Sequence, residues 1–142
     1  MLSQSLDRLA LLHPKLIDLG LERTYQLLEK AGSPHQNLPP IFHIAGTNGK
    51  GSVCAYLFAI AKQLGLATHC YTSPHLCRFN ERIRIANKLI DDEALLQVLD
   101  EVEKLNQNRP ITFYEITTNS LSLVAESAAL RLDFAVALIP KF

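Results

Sequence analysis

The amino-acid sequence predicts an α/β fold, with a parallel sheet flanked by helices on both sides. Short apolar segments alternate with amphipathic helical segments along the 142 residues, an order typical of strand–helix–strand units. The run 134–139 is continuously apolar, as is typical of a strand buried on both faces. A glycine-rich segment, residues 46–52, joins an apolar strand to an apolar helix, and ligands of parallel sheets bind at such strand ends.

Two helices are predicted before the first strand. The first covers residues 5–12 and stops before Pro14, and the second covers 22–31 and ends at Gly32, because proline and glycine terminate helices. The first strand follows at residues 41–45.

The later segments continue the alternation. Residues 67–71 form a predicted strand, and residues 82–86 alternate charged and apolar side chains as a half-exposed strand does. A further helix is predicted over 115–130. Another helix is predicted between the strand 82–86 and this helix, and Asp91 caps it. Its apolar face comprises Leu95, Val98, Leu99, Val102 and Leu105.

Composition limits the class of protein. Fourteen basic and fourteen acidic residues balance and 48% of the residues are apolar, which is a globular composition that does not favour nucleic acid or an acidic membrane as partner. The longest apolar run, residues 53–61, is too short for a bilayer, and we see no secretory signal. Cys54, Cys70 and Cys77 cannot all pair within one chain, and we expect reduced thiols of a cytoplasmic protein.

Residues 46–52, with the sequence GTNGKGS, predict a cradle for nucleotide phosphates. The glycines let backbone N–H groups approach phosphate, and the helix predicted over 53–64 points its positive end at it. Lys50 would reach the outer phosphates, and the Ser52 hydroxyl is placed to bind Mg²⁺. The common pattern has glycine where this chain has Ile44, so the loop is a shortened variant. The alternative is an ordinary glycine-rich turn.

A second polar segment, residues 72–76, follows the next predicted strand. Because ligands bind at the carboxyl ends of parallel strands, Ser73 is a candidate second hydroxyl near the nucleotide and metal. The alternative for Ser73 is a turn-forming Ser-Pro dipeptide. His75 is either a general base or a structural residue of the proline turn, and a solvated strand face is the default for Arg82 and Arg84.

Five ordered segments resemble the folylpolyglutamate synthase and dihydrofolate synthase family, relatives of the Mur peptidoglycan ligases. They are LIDLGLER at 16–23, AGTNGKGS at 45–52, YTSPHL at 71–76, FNERIR at 79–84 and ITFYE at 111–115. The second segment also fits other Mur-type ligases, whereas the first and last favour the folate branch. The resemblance implies a P-loop NTPase-like Mur ligase central domain, of which residues 1–142 are an N-terminal part.

The same resemblance implies an ATP- and Mg²⁺-dependent ligation of L-glutamate to dihydropteroate or a (tetrahydro)folate. ATP phosphorylates the carboxylate, and the glutamate amine attacks the acyl-phosphate. Lys50 would steady the transferred phosphoryl group, and Ser52 and Ser73 would hold Mg²⁺. The residues implied to contact ATP are Asn48, Gly49, Lys50 and Gly51. Those implied to bind the pterin are Ile17, Asp18, Leu19 and Gly20, together with Thr112, Phe113, Tyr114 and Glu115.

Several of these residues have structural alternatives. Asp18 is also suited to capping a turn, and Glu115 is also suited to the first turn of a helix, where the dipole favours an acid. Phe113 and Tyr114 are equally typical of core aromatic residues.

The segment after residue 134 departs from the family pattern. The family continues with a magnesium-binding glutamate and a second, glutamate-binding domain, whereas the last strand here is followed only by Pro140, Lys141 and Phe142. We therefore expect a truncated fragment that binds nucleotide weakly and ligates no glutamate alone. The alternatives are a stand-alone nucleotide-binding module and a vestigial product without ligase activity.

Overall fold

The computed structural model describes residues 1–12, 21–38, 40–113, 115–118, 120 and 134–138. The chain divides into two compact units, Met1–Asn37 with Asp92–Ser127 and Leu38–Asp91 with Ala128–Phe142. Predictions that concern residues 13–20, 121–133 and 139–142 lie outside the described residues.

The helices and strands follow the predicted alternation with shifted boundaries. The helices are α1 (Leu2–Ala10), α2 (Glu22–Lys30), α3 (Lys50–Gln63) and α4 (Asp92–Asn106), and residues 113, 115–118 and 120 are also helical. The strands are β1 (Ile41–Ile44), β2 (Thr68–Tyr71), β3 (Ile83–Ile85), β4 (Lys88–Leu89) and β5 (Phe134–Leu138). In the part of the chain that the structure describes, no helix is both long and apolar enough to cross a membrane.

The first unit is organised around α4. Helices α1 and α2 both pack against it, because its apolar residues recur at helical spacing and form one face. Of the predicted face, Leu95, Leu99 and Val102 are fully buried, whereas Val98 and Leu105 are half-buried. Asp92 and Glu93 occupy the first turn of α4, where negative charge favours the helix dipole. Other buried apolar residues of this unit are Leu9, Leu27, Leu28, Ile111 and Ile116.

The second unit contains a five-stranded mixed sheet in the order β1-β5-β2-β3-β4. Strand β5 pairs in parallel with β1 and with β2, while β3 pairs antiparallel with both β2 and β4. The prediction of a parallel sheet is therefore wrong for β3. The physical reason is that the connection from β2 to β3 is too short for the helical crossover that a parallel pair needs.

Strand β4 was not predicted from the sequence. It returns from β3 through Ala86 and Asn87, whose φ angles are 46° and 69°, as the two central residues of a type I′ hairpin turn require. Arg82 also differs from the prediction. It lies in a short 3-10 helix, Phe79–Arg82, and not on a solvated strand face.

Helix α3 packs against β1, β5 and β2. It begins at Lys50, three residues before the predicted start at Val53. The earlier start follows from Gly49, which adopts a left-handed conformation and ends the loop. Lys50, Gly51 and Ser52 are thus residues of the first helical turn.

The core of the first unit is testable through Leu99, which is 1% exposed. We expect Leu99→Ala to lower the free energy of unfolding by about 2–5 kcal/mol, because the truncated side chain leaves a cavity. The matched control is Leu11→Ala, since Leu11 is 84% exposed and should change stability by less than about 0.5 kcal/mol. Urea denaturation followed by circular dichroism measures both, and equal losses would contradict the packing described.

Candidate functional site

The candidate site lies at the edge of the sheet where β1 and β2 end. Both strands run parallel to β5, which separates them, with Ile44 level with Leu138 and Tyr71 level with Ala137. Since neighbouring strands are about 4.8 Å apart, the ends of β1 and β2 are about 10 Å apart. The loop 45–49 and the segment that begins at Thr72 therefore leave the sheet from one edge.

The loop after β1 depends on two glycines with positive φ. Gly46 has φ of 151° and Gly49 has φ of 74°, a region that residues with a Cβ atom adopt only under strain. A Cβ atom at Gly49 or Gly51 would meet no atom within 4 Å. Packing therefore does not explain these two glycines, and the open space leaves the backbone accessible to a ligand.

The N-terminus of α3 is uncapped. Gly49 is its N-cap residue and offers no side chain, and the N–H of Val53 donates to the carbonyl of Gly49 at 3.0 Å. The N–H groups of Lys50, Gly51 and Ser52 precede it, and such first-turn groups have no acceptor within the helix. Together with the helix dipole, they favour an anion at this point.

Lys50 lies across the loop. Its ammonium donates to the carbonyl of Thr47 at 3.3 Å, and it has no carboxylate partner among the residues that the structure describes. An approaching phosphate would compete with one long hydrogen bond to a neutral oxygen. A hydrogen bond between the ammonium and a charged phosphate is stronger than the bond to the Thr47 carbonyl. The ammonium is therefore available to an anion.

The two predicted magnesium ligands are both at this sheet edge. Ser52 is exposed in the first turn of α3, and Ser73 is 9% exposed beyond β2. Within the described ranges no group of three His, Cys, Asp or Glu side chains could hold a metal ion. Hydroxyl oxygens suit Mg²⁺, which keeps several waters and takes further ligands from substrate phosphates.

Glu81 shapes the segment that carries Ser73. Its carboxylate accepts hydrogen bonds from the backbone N–H groups of Leu76, Cys77 and Arg78 at 2.8, 3.0 and 2.8 Å. These bonds, that from Leu76 foremost, lower the pKa of Glu81, because they stabilise the charged form. This role of Glu81 was not predicted from the sequence.

His75 is held in place by Arg82. The Nε of Arg82 donates to Nδ1 of His75 at 2.8 Å, and the guanidinium lies 5.0 Å from the ring centre of Phe79. His75 therefore carries its proton on Nε2 when neutral. This arrangement favours the structural alternative for His75 over the general base.

The segment 112–115, predicted to bind the pterin, contains a capping box. The Glu115 carboxylate accepts from the N–H and hydroxyl of Thr112 at 2.9 and 2.7 Å, and the Glu115 N–H donates back to the Thr112 hydroxyl at 3.2 Å. The pattern Thr-x-x-Glu is the sequence signature of this motif. Tyr114 and the residues Ile17, Asp18, Leu19 and Gly20 lie outside the described residues.

Arg23 links α2 to the same carboxylate. Its Nε donates a hydrogen bond to Oε2 of Glu115 at 3.3 Å. Its Nη2 lies 3.2 Å from Oε1 of Glu115, and this second contact is an ion pair without hydrogen-bond geometry. Glu115 is 6% exposed. Glu115 thus lies in the first turn of this helical segment, as its structural alternative describes.

Comparison with known proteins identifies similar sequences. Dihydrofolate synthase/folylpolyglutamate synthase of Haemophilus influenzae is 39% identical over 119 residues, covering 84% of this chain and 27% of that protein. The Escherichia coli protein of the same name is 35% identical over 129 residues, covering 91% and 30% respectively. The chain spans about a third of the length of these relatives. No family model matches the sequence.

Solved structures with the same fold include two nucleotide complexes. Escherichia coli FolC in complex with DHPP and ADP superposes with a TM-score of 0.87 at 34% identity, covering 97% of this chain and 33% of that one. The Yersinia pestis bifunctional synthase complexed with AMPPNP and Mn gives a TM-score of 0.86 with the same identity and coverage.

The lowered pKa of Glu81 predicts a pH-dependent loop. The ionised carboxylate stabilises the segment above the ordinary glutamate pKa of about 4.3, and this contribution is lost as the pH falls through the lower pKa of the folded state. We expect the protection factors of the Leu76, Cys77 and Arg78 amides, which correct for the intrinsic exchange rate at each pH, to fall as the Glu81 carboxylate is protonated. NMR hydrogen exchange measures this.

Glu81→Gln provides the control for that titration. It should lower the protection factors of the same three amides already at neutral pH and remove the pH dependence of that protection, because the amide side chain cannot carry the charge. Unchanged protection in the variant would show that Glu81 does not hold the loop.

The ion pair of Arg23 with Glu115 predicts a measurable coupling. We expect Glu115→Gln to lower the free energy of unfolding by about 1–3 kcal/mol, because hydrogen bonds to charged groups contribute that much, while glutamine preserves the capping box. A double-mutant cycle with Arg23→Met isolates the pair. Additive losses in the cycle would contradict a direct interaction.

Proposed function

We propose that this chain supplies the ATP-phosphate site of a dihydrofolate synthase/folylpolyglutamate synthase. It matches such enzymes in sequence and fold over about a third of their length. The reaction would be the ATP-dependent joining of L-glutamate to dihydropteroate or a (tetrahydro)folate. We also propose that the chain is part of a P-loop NTPase-like Mur ligase central domain.

The observation that carries the proposal is the uncapped N-terminus of α3. Gly49 leaves the first-turn N–H groups without a side-chain acceptor, and Lys50 lies beside them over the exposed loop. Backbone donors, a helix dipole and a lysine on one small surface are what a triphosphate requires. Structures of relatives with ADP or AMPPNP support the same ligand class.

The chemistry explains why such a site is needed. A carboxylate is a poor electrophile, and transfer of the terminal phosphoryl group converts its oxygen into a leaving group for attack by the glutamate amine. Lys50 would neutralise charge that develops on the transferred group, while Asn48, Gly49 and Gly51 hold the phosphates in position.

The metal would be held by Ser52 and Ser73. Their hydroxyl oxygens supply neutral hard ligands, and Mg²⁺, when bound, neutralises phosphate charge. The anchoring of the segment 72–82 by Glu81 would keep Ser73 at the sheet edge.

The pterin site is proposed from the family resemblance. It would comprise Ile17, Asp18, Leu19 and Gly20 together with Thr112, Phe113, Tyr114 and Glu115. Because Thr112 and Glu115 hydrogen-bond to one another, their proposed contribution is to fix the backbone of this segment, which presents Phe113 and Tyr114 to the pterin.

The phosphate site predicts a loss of nucleotide binding in Lys50→Ala. Mg-ATP should raise the melting temperature of the chain, since a ligand that binds only the folded state stabilises it. We expect Lys50→Ala to weaken the binding of ATP about tenfold or more, because a charge-assisted contact contributes about 1.5–3 kcal/mol. Calorimetric titration with ATP and Mg²⁺ measures the change.

The control is Lys62→Ala, which removes an exposed lysine at the opposite end of the same helix. It should bind ATP as the unmodified chain does. Equal affinity of all three proteins would refute the proposed role of Lys50.

The ligase assignment needs a separate experiment. The chain can replace the matching segment of the Escherichia coli relative, and glutamate ligation to dihydropteroate can be assayed in the chimera. We expect activity that Lys50→Ala abolishes and Lys62→Ala preserves. A folded chimera that binds ATP without ligating glutamate would favour a nucleotide-binding module.

A further inference from the structure

Two thiols meet behind the phosphate loop. The Sγ atoms of Cys54 on α3 and Cys70 on β2 are 3.2 Å apart, and both cysteines are free. Each is at least 96% buried, and Ile44, Leu57 and Phe58 pack around the pair. A disulfide has a sulfur–sulfur distance of about 2.05 Å, so a closure of little more than 1 Å would join them.

The hydrogen bond between the two thiols and the charge of Arg84 affect the pKa of the pair. The pKa of the Cys54 thiol is lowered, chiefly by its hydrogen bond with Cys70, while burial opposes this and the charge of Arg84 assists it. The same hydrogen bond and burial raise the pKa of Cys70. Arg84 is opposite Cys70 in the β2–β3 pairing, and its guanidinium lies 5.6 Å from the ring centre of Phe58.

We propose that Cys54 and Cys70 form a reversible intramolecular disulfide in the presence of a hydroperoxide. One of the two thiols attacks the peroxide O–O bond, giving a sulfenic acid, and its proton leaves with the departing oxygen as water or an alcohol. The sulfur of the other cysteine then attacks the oxidised sulfur, 3.2 Å away before reaction, and water leaves as the S–S bond forms. The two thiols lose two electrons, and the peroxide accepts them.

The bond would connect α3 to β2 directly behind the candidate site. Cys54 lies one turn after Lys50, and Cys70 lies three residues before Ser73. Displacement of α3 toward β2 moves the first-turn N–H groups, and binding sites tolerate shifts of only about 0.5 Å. The oxidised chain should bind nucleotide more weakly, a consequence that rests on the proposed function.

Mass spectrometry tests the disulfide without reference to nucleotide. Cys77 is exposed, so the test uses Cys77→Ser to prevent cross-links between molecules. After treatment with hydrogen peroxide, the intact chain should lose two hydrogen atoms, resist alkylation when denatured, and regain both thiols with dithiothreitol. Peptide mapping should recover a Cys54–Cys70 cross-link that Cys54→Ser/Cys77→Ser does not form. Two alkylated thiols, or sulfinic acids without a cross-link, would overturn the proposal.

Calorimetric titration of ATP into the reduced and oxidised Cys77→Ser chains tests the consequence. We expect the oxidised chain to bind about tenfold more weakly, because its donors are displaced beyond the tolerance of such a site. Equal binding by both forms would refute the effect on the loop. Absence of binding by the reduced form would instead refute the proposed phosphate site and leave the cross-link result unaffected.

Discussion

The parallel pairing of β5 with both β1 and β2 is the constraint on which the candidate site depends. A strand between two others fixes their direction and register through backbone hydrogen bonds, so their carboxyl ends lie level at one edge. Without that pairing, the loop 45–49 and Ser73 would have no defined position relative to one another. The apolar segment 134–138 is thus as necessary to the site as the residues that carry its chemistry.

The chemistry of the loop lies more in its backbone than in its side chains. Two positive φ angles, at Gly46 and Gly49, turn the chain so that α3 starts with exposed N–H groups. Lys50 adds the side-chain charge, and its bond to Thr47 keeps that charge over the loop. A side chain at Gly46 or Gly49 would strain the turn, because both residues have positive φ angles.

Residues that match a family motif also have structural roles in this fold. Glu115 completes a capping box with Thr112 and pairs with Arg23, and His75 is positioned by Arg82. Such roles are compatible with a nearby ligand, because a segment that presents groups to a substrate must itself be held rigidly. Motif identity alone therefore does not separate contact with a ligand from support of one.

The sequence by itself determined the local features. The glycine-rich loop, the helix that follows it and the buried face of α4 depend on residues close together in the chain. Tertiary structure decided which distant segments meet. The antiparallel β3–β4 edge and the contact of Cys54 with Cys70 depend on how strands pair and how α3 packs, because long-range pairing follows from the free energy of the whole sheet and not from any local pattern.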